Sequence, residues 1–222
     1  MPLRSFSDPH RGVFVTVDGP SGVGKSTSVA HLARLLISAG EQVHTTAEPS
    51  SSMVGMLARQ VTERVTGPAL ACLYAADRYH HLDSEIRPRL AEGILVLCDR
   101  YVPSGLVMQR FDGVDPSFLW AINALAERPD LAVILEADPA VIAARLTARG
   151  PRNRFQALPG SAQGEAHFYR QACDRLIQAG YDVLRIDAGE RTPDQVAAII
   201  AARLAAFSAA SPAMPEQEEA WS

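Results

Sequence analysis

The stretch GVFVTVDGPSGVGKSTSVAHLARLLISAG, residues 12–40, decides the fold of this chain. Its first part, GVFVTVDG, is rich in β-branched residues, which is typical of a buried strand. Its last part carries apolar residues at helical spacing from Val29 to Leu36 and ends at Gly40, a natural helix stop. Between them lies GPSGVGKS, residues 19–26, which matches G-x-x-x-x-G-K-[ST] at every position.

Each residue type in this loop has a physical reason. Glycine permits positive backbone angles and lets the main chain approach a ligand closely. Successive backbone N–H groups at a helix N-terminus point inward and bind phosphates. Lys25 is expected to reach the β- and γ-phosphates of a nucleotide, and Ser26 to ligate Mg²⁺. The predicted donor-phosphate site comprises Gly19, Ser21, Gly22, Val23, Gly24, Lys25, Ser26 and Thr27.

Lys25 is the single lysine of the chain, which has 20 arginines. A genome rich in GC codons explains the arginines but not the position of the lysine. A compact ammonium group fits a phosphate loop where a planar guanidinium does not. The position of the lysine therefore strengthens the prediction of a phosphate loop.

Further apolar runs alternate with helical patterns along the chain. Strands are predicted at residues 12–19, 42–46, 94–99, 131–137 and 182–187. Besides the helix after the loop, helices are predicted at residues 53–64, 68–83, 118–127, 140–147, 165–179 and 193–207. This alternation predicts a three-layer α/β fold of the P-loop NTPase type, with a five-stranded parallel sheet flanked by helices.

The predicted domain runs from residue 12 to residue 207. Residues 1–11 are expected to be a flexible N-terminus, and residues 208–222 a disordered, acidic tail. Residues 148–164, here named the lid, contain arginines, prolines and glycines with little apolar content, which predicts a mobile surface loop. The lid arginines, expected to lie over the ligand, are Arg149, Arg152 and Arg154.

Composition excludes several classes of function. The chain has 222 residues, of which 47% are hydrophobic and 21% charged, as in a globular domain. A formal net charge of -4 argues against nucleic-acid binding through bulk electrostatics. No apolar run approaches the roughly 20 residues of a membrane helix, and the N-terminus lacks the apolar core of a secretory signal. Because its three cysteines are also far apart, we expect a soluble cytoplasmic protein without nucleic-acid or membrane partners.

A second charged motif, Asp99-Arg100, follows the apolar run ILVLC. In a parallel sheet this strand end faces the ligand crevice beside the phosphate loop. Asp99 is expected to hold the hydration shell of Mg²⁺ and Arg100 to bind an acceptor phosphate, whereas a structural ion pair is the alternative. With the lid arginines, these cations exceed what one nucleotide needs, which indicates phosphoryl transfer between two phosphates. The predicted catalytic residues are Lys25, Asp99, Arg100, Arg152 and Arg154.

The chain resembles the thymidylate kinase family of nucleoside monophosphate kinases. The resemblance covers about residues 12–204 and rests on the phosphate loop and three further stretches. These are YAADRYHHLDSEIRPRLAEG (residues 74–93), CDRYVPSGLVMQ (residues 98–109) and RLTARGPRNRF (residues 145–155). The resemblance implies ATP as donor, Mg²⁺ as cofactor, a nucleoside monophosphate as acceptor, and a homodimer.

The resemblance also assigns roles in the acceptor site. It implies that Tyr74 stacks on a pyrimidine base, that Arg78 bonds the base edge and that Gln109 lies near the base. It implies that Arg100 binds the acceptor phosphate and that the lid arginines close over the donor phosphates. For Tyr74 the alternative is an ordinary half-buried helix tyrosine, and for at least one lid arginine it is a solvated position.

Departures from the family pattern cluster in the acceptor half. Ser21 stands where many members carry an aspartate, and the T-R-E-P motif reads T-A-E-P at residues 46–49, which keeps Glu48 but lacks the arginine. Gly105 replaces a usual hydroxyl or amide that addresses the base, and Met108 replaces a tyrosine that crowds the sugar 2′ position. Because discrimination depends on such buried polar groups, the expected acceptor is dTMP by default, or else a modified or ribo-pyrimidine monophosphate.

Two other functions stay open from the residues alone. A catalytically weak nucleotide-binding module would explain the departures, although both halves of the charged site are retained. A kinase for a non-nucleotide alcohol would need a general base, and Asp99 or Glu48 is available for that role.

Overall fold

The sheet is parallel throughout in the computed structural model, which describes residues 11–210. The described residues form strands β1 (Phe14–Asp18), β2 (Val43–Ala47), β3 (Leu95–Asp99), β4 (Leu131–Glu136) and β5 (Val183–Asp187). Their order across the sheet is β2-β3-β1-β4-β5, and every neighbouring pair is parallel. The predicted α/β fold with a five-stranded parallel sheet is confirmed.

Helices connect the strands and cover both faces. They are α1 (Lys25–Ser38), α2 (Met53–Val61), α3 (Gly67–His81), α4 (Arg87–Ala91), α5 (Val102–Met108), α6 (Pro116–Ala121), α7 (Pro139–Arg149), α8 (Arg154–Ala157), α9 (Ser161–Gln178) and α10 (Pro193–Ala210). A π-helical turn, Leu82–Ile86, joins α3 to α4, and a 3₁₀ turn, Gln109–Asp112, follows α5. Among residues 11–210, no helix combines the length and apolarity that crossing a membrane requires.

The central strand β1 explains the three layers. Successive side chains of a strand point to opposite faces, so a fully buried strand needs cover on both sides. Val15 and Val17 lie in an apolar cluster with residues of α1 and α10. Phe14 lies in a second cluster with residues of α5 and α9. All three side chains are completely buried, which places β1 at the centre of the molecule.

The strand register brings the motifs to one edge of the sheet. Asp99, the last residue of β3, lies beside Val17 of β1 and Ala47 of β2. The phosphate loop follows β1, and Glu48 follows β2. The carboxyl ends of these strands therefore gather the loop, Asp99-Arg100 and Glu48 in one region.

Some predicted boundaries are wrong. The helix predicted at residues 118–127 covers Pro116–Ala121 instead, and it starts earlier because Asp115 caps it by accepting backbone N–H groups. Helix α5 lies in a segment where the sequence pattern predicts none. Helix α10 continues through Ala210, beyond residue 207. Residues 1–10 and 211–222, where a flexible N-terminus and a tail are predicted, lie outside the described residues.

The lid is not one continuous loop. Helix α8 occupies Arg154–Ala157, and the Asn153 side chain caps it by accepting the Gln156 backbone N–H at 3.2 Å. Helix α9 begins at Ser161 rather than at residue 165. The arginines of the lid are therefore held at defined positions of the fold.

Candidate functional site

The phosphate loop connects β1 to α1 and depends on its glycines. Gly19, Gly22 and Gly24 all have positive φ, of 143°, 83° and 107°. A Cβ atom on Gly19 would lie 2.3 Å from the Leu135 carbonyl oxygen, so no other residue fits there. Val23 is buried and its backbone N–H donates to the Pro20 carbonyl at 3.2 Å.

Lys25 lies inside this loop with only 5% of its surface exposed. Its ammonium group donates to the carbonyls of Gly19 and Pro20 at 2.7 and 2.8 Å. Burial, and after it the Arg100 guanidinium, lowers the pKa of Lys25 to about 7. Because a nearby anion favours the charged form of a lysine, a phosphate bound in the loop would raise this pKa again.

Ser26 and Asp99 meet across the end of the sheet. The Ser26 hydroxyl donates to Asp99 Oδ2, while Asp99 Oδ1 is buried without a hydrogen-bond partner among the described residues. In residues 11–210, no group of three or more His, Cys, Asp or Glu side chains is arranged to hold a metal by itself. Mg²⁺ is commonly held by one or two protein oxygens together with substrate phosphates, and the Ser26–Asp99 pair fits that arrangement.

Arg100 is held in an unusual backbone conformation at the end of β3. Its φ of 76° lies in the left-handed region, which residues other than glycine rarely adopt. The next residues are fixed by Asp18, whose Oδ1 accepts the backbone N–H groups of Tyr101 and Ser104, both at 3.0 Å. Asp18 is fully buried, and burial raises its pKa. Sequence reasoning missed Asp18, because its partners lie more than 80 positions away.

A cavity of about 110 Å³ lies beside Arg100. Every residue predicted for the acceptor lines it: Glu48, Tyr74, Arg78, Arg100, Gly105, Met108 and Gln109. Residues that the sequence analysis did not assign complete its wall: Pro49, Tyr101, Ser104, Asn153 and Phe155. We call this space the acceptor cavity. It combines residues that follow β2 with residues of α3, the α5 region and the lid.

Arg78 and Glu48 form a buried ion pair at the wall of this cavity. Arg78 Nη2 lies 2.7 Å from Glu48 Oε2, and the two side chains are 3% and 5% exposed. Arg78 also donates to Asn123 Oδ1 and to the Tyr101 carbonyl. Glu48, which the sequence assigned to the substrate, lines the cavity and also holds Arg78, a contact that the sequence did not indicate. Its second oxygen, Oε1, is buried without a hydrogen-bond partner among the described residues.

The remaining acceptor residues differ in how firmly they are held. The Tyr74 hydroxyl shares a 2.8 Å hydrogen bond with Thr62 Oγ1, and burial raises the pKa of Tyr74. Gln109 is 2% exposed and Met108 is half-buried. A Cβ atom on Gly105 would lie 3.5 Å from Arg78 Nη1, an ordinary van der Waals distance. The missing side chain at position 105 is therefore not forced by the surrounding packing.

The lid arginines separate into two groups. Arg149 and Arg152 are exposed, and the Gln156 side-chain oxygen accepts from Arg149 Nη2 and from the Arg152 backbone, both at 3.0 Å. Partial burial, followed by Arg152 and Arg100, lowers the pKa of Arg149. A bound anion beside Arg149 would favour its charged form and oppose this shift. Arg154 instead pairs with Asp112, at 2.5 and 2.6 Å, so the structure does not bring it to the phosphate loop.

Glu165 of α9 is a further member of the site that the sequence did not reveal. It is completely buried, and its Oε2 accepts the backbone N–H of Ser21 at 2.6 Å. The Ser21 hydroxyl and Glu165 Oε1 are buried without hydrogen-bond partners among the described residues. Glu165 thus ties the helix after the lid to the phosphate loop.

The fold and the site together define a P-loop kinase, with a phosphate loop and a second cationic cavity on one sheet edge. The family model for thymidylate kinase matches residues 17–199, and the chain belongs to the thymidylate kinase family of nucleoside monophosphate kinases. The predicted resemblance is therefore confirmed.

Curated relatives match most of the chain. A probable thymidylate kinase of Pyrobaculum aerophilum is 36% identical over 195 residues, which cover 85% of this chain and 94% of that protein. The thymidylate kinase of Clavibacter michiganensis subsp. michiganensis is 36% identical over 209 residues, 90% of this chain and 97% of the relative. That of Clavibacter sepedonicus is 39% identical over 190 residues, 80% of this chain and 88% of the relative.

Proposed function

We propose that this enzyme transfers the γ-phosphoryl group of ATP to the 5′-phosphate of dTMP, with Mg²⁺. The observation that carries the proposal is that two cationic features lie together at the carboxyl edge of the sheet. One is the loop around Lys25, and the other is the acceptor cavity beside Arg100. The names of the relatives support dTMP as the acceptor.

The donor nucleoside has space of its own. A separate cavity of about 230 Å³ borders the phosphate loop at Gly22, Gly24 and Thr27. Arg145 and Arg191 also line it, and their planar guanidinium groups suit stacking on a nucleobase. A nucleotide whose phosphates lie in the loop would extend its base into this cavity.

The residues divide the catalytic work by position. Lys25 contacts the transferred group from the loop side, and Arg100 holds the acceptor phosphate from the other side. Ser26 and Asp99 would hold Mg²⁺, which when bound supplies neutralisation of the negative charge of the phosphates. Arg149 and Arg152, the exposed arginines of the lid, would add positive charge to the donor phosphates and help to exclude water, which would otherwise hydrolyse the donor.

The identity of the acceptor is the finer part of the proposal. Gly105 and Met108 both line the acceptor cavity, where they supply neither a hydroxyl nor an amide. This observation favours a second candidate within the same class, a modified pyrimidine or ribo-pyrimidine monophosphate. The two candidates differ in the substrate and not in the chemistry.

A coupled assay of ADP release tests both candidates. Wild-type enzyme with Mg²⁺ and ATP is given dTMP, dUMP, UMP, dCMP, CMP and their 5-substituted forms. We expect the largest kcat/KM for dTMP; a better modified or ribo-nucleotide would select the second candidate. Lys25→Met is expected to lower kcat by a factor on the order of 100 or more, because it removes a preorganised charge.

Absence of turnover would support a nucleotide-binding module instead. In that case calorimetric titration would still detect ATP binding, without an effect of any acceptor. Turnover with a non-nucleotide alcohol alone would indicate the small-molecule kinase. The homodimer and cytoplasmic location implied by the family are further proposals, which sedimentation equilibrium and cell fractionation test.

A further inference from the structure

Arg154 and Asp112 form a bidentate ion pair between the lid and the body of the enzyme. Arg154 Nη1 and Nη2 donate to Asp112 Oδ1 and Oδ2 at 2.5 and 2.6 Å. Arg154 Nε donates to the Thr62 carbonyl at 2.6 Å. Bidentate charged pairs of this geometry are among the strongest hydrogen-bonded contacts in proteins.

Both partners are held in place by other contacts. The Asp112 side chain is 5% exposed, and its Oδ2 also accepts the Gly67 backbone N–H at 3.1 Å. The Arg154 backbone N–H donates to Glu63 Oε1 at 3.0 Å. Helix α8 of the lid is thus tied to the α2–α3 connection and to the 3₁₀ turn after α5.

The residues on either side of Arg154 line the acceptor cavity. Asn153 and Phe155 both contribute to its wall. The Phe155 side chain is 2% exposed, and its ring lies 4.0 Å from the Arg154 guanidinium and 6.4 Å from the Phe111 ring. Any movement that separates Arg154 from Asp112 therefore moves the part of the lid that covers the acceptor.

We propose that the Arg154–Asp112 pair is a latch that holds the lid over the acceptor cavity. Arg154 and Asp112 are then positioning residues for acceptor binding, and the phosphate-contacting arginines of the lid are Arg149 and Arg152. The N–H groups of Arg154 support this role, because Nε, Nη1 and Nη2 all donate to protein oxygens. The assignment to acceptor binding rests on the proposed nucleotide kinase function.

Steady-state kinetics of Asp112→Asn and Arg154→Gln distinguish a latch from a phosphate ligand. A latch predicts that each variant raises the KM for the acceptor by about tenfold with little change in the KM for ATP, as for a lost charge-assisted contact. The double variant should be no worse than either single variant, since both break one contact. A phosphate-binding Arg154 would instead leave Asp112→Asn with wild-type KM values, while Arg154→Gln lost kcat. That result overturns the latch.

The matched control is Arg87→Gln, which removes an exposed arginine from a surface ion pair with Asp83. It should leave both KM values unchanged. Arg154→Lys keeps the positive charge but cannot make the bidentate contact. It serves as the test variant if Arg154→Gln does not fold. An acceptor KM equal to wild type in Arg154→Lys would also contradict the latch.

Hydrogen exchange of the ligand-free enzyme tests the latch without activity. Backbone amides of residues 150–158 should exchange at least several-fold faster in Asp112→Asn than in wild type, while those of β1 and β3 stay protected. Unchanged exchange in residues 150–158 would overturn the latch. A wild-type enzyme inactive on every nucleotide would instead refute the proposed function, so the two failures are distinguishable.

Discussion

Replacing Glu48 by glutamine removes one negative charge from a buried ion pair and changes almost no volume. Glu48 and Arg78 are 5% and 3% exposed, and the guanidinium donates to Glu48 Oε2 from Nε at 2.8 Å. The glutamine oxygen keeps an acceptor for this donor. Arg78 also keeps its bonds to Asn123 and to the Tyr101 carbonyl. The variant therefore leaves a hydrogen-bonded guanidinium that lacks its counter-charge.

The expected loss of stability follows from this geometry. Breaking a buried pair by removing one partner costs about 3–5 kcal/mol, and the retained hydrogen bonds place Glu48→Gln at about 3 kcal/mol in the free energy of unfolding. For a chain of this length, that corresponds to a fall in Tm of about 6–12 °C. Because Arg78 lines the acceptor cavity, the KM for the acceptor should rise as well.

Urea unfolding at pH 7, followed by circular dichroism, and calorimetry measure these changes. The matched control is Glu136→Gln, which removes a carboxylate from the exposed pair with Arg185 at 2.9 Å, where the side chains are 29% and 46% exposed. An exposed pair contributes less than about 1 kcal/mol. If Glu48→Gln destabilises the enzyme no more than Glu136→Gln, the stability of the fold does not depend on the charge of Glu48 opposite the buried Arg78. That result refutes the reasoning.

Two further predictions concern the cavity and the sheet edge. Gly105→Ser should change the free energy of unfolding by less than about 1 kcal/mol, because its Cβ would meet Arg78 at an ordinary van der Waals distance. The same variant should alter the ratio of kcat/KM between dTMP and dUMP. An unchanged ratio would remove Gly105 from the specificity determinants. Burial raises the pKa of Asp18 above 3.8, so the folded state binds more protons than the unfolded state just above that pH. The free energy of unfolding of the wild type should therefore fall as pH rises from 3.8 to the raised pKa of Asp18. Asp18→Asn should lack that loss, and equal pH slopes in urea titrations of both proteins would contradict the reasoning.

Local sequence was sufficient for the phosphate loop and the sheet. The loop is a run of adjacent residues whose glycines, lysine and serine act through their own backbone and immediate neighbours. The strands are short apolar runs, and alternation with helices predicts parallel pairing. Asp99-Arg100 stands at the end of a predicted strand, so parallel order also predicts that it lies beside the phosphate loop, whereas Glu48 was assigned from the family resemblance.

Tertiary structure decided the partners of these residues. Helix α5 contains Gly105, which local helix propensity disfavours, and it begins where Asp18, from the end of β1, accepts the backbone N–H groups of Tyr101 and Ser104. Arg154 meets Asp112 across 42 positions, and Glu165 meets the phosphate loop across 144. A sequence pattern shows that a charged residue is present. Its role depends on which oppositely charged or hydrogen-bonding group the fold brings within about 3 Å of it. Packing between distant segments decides which group that is.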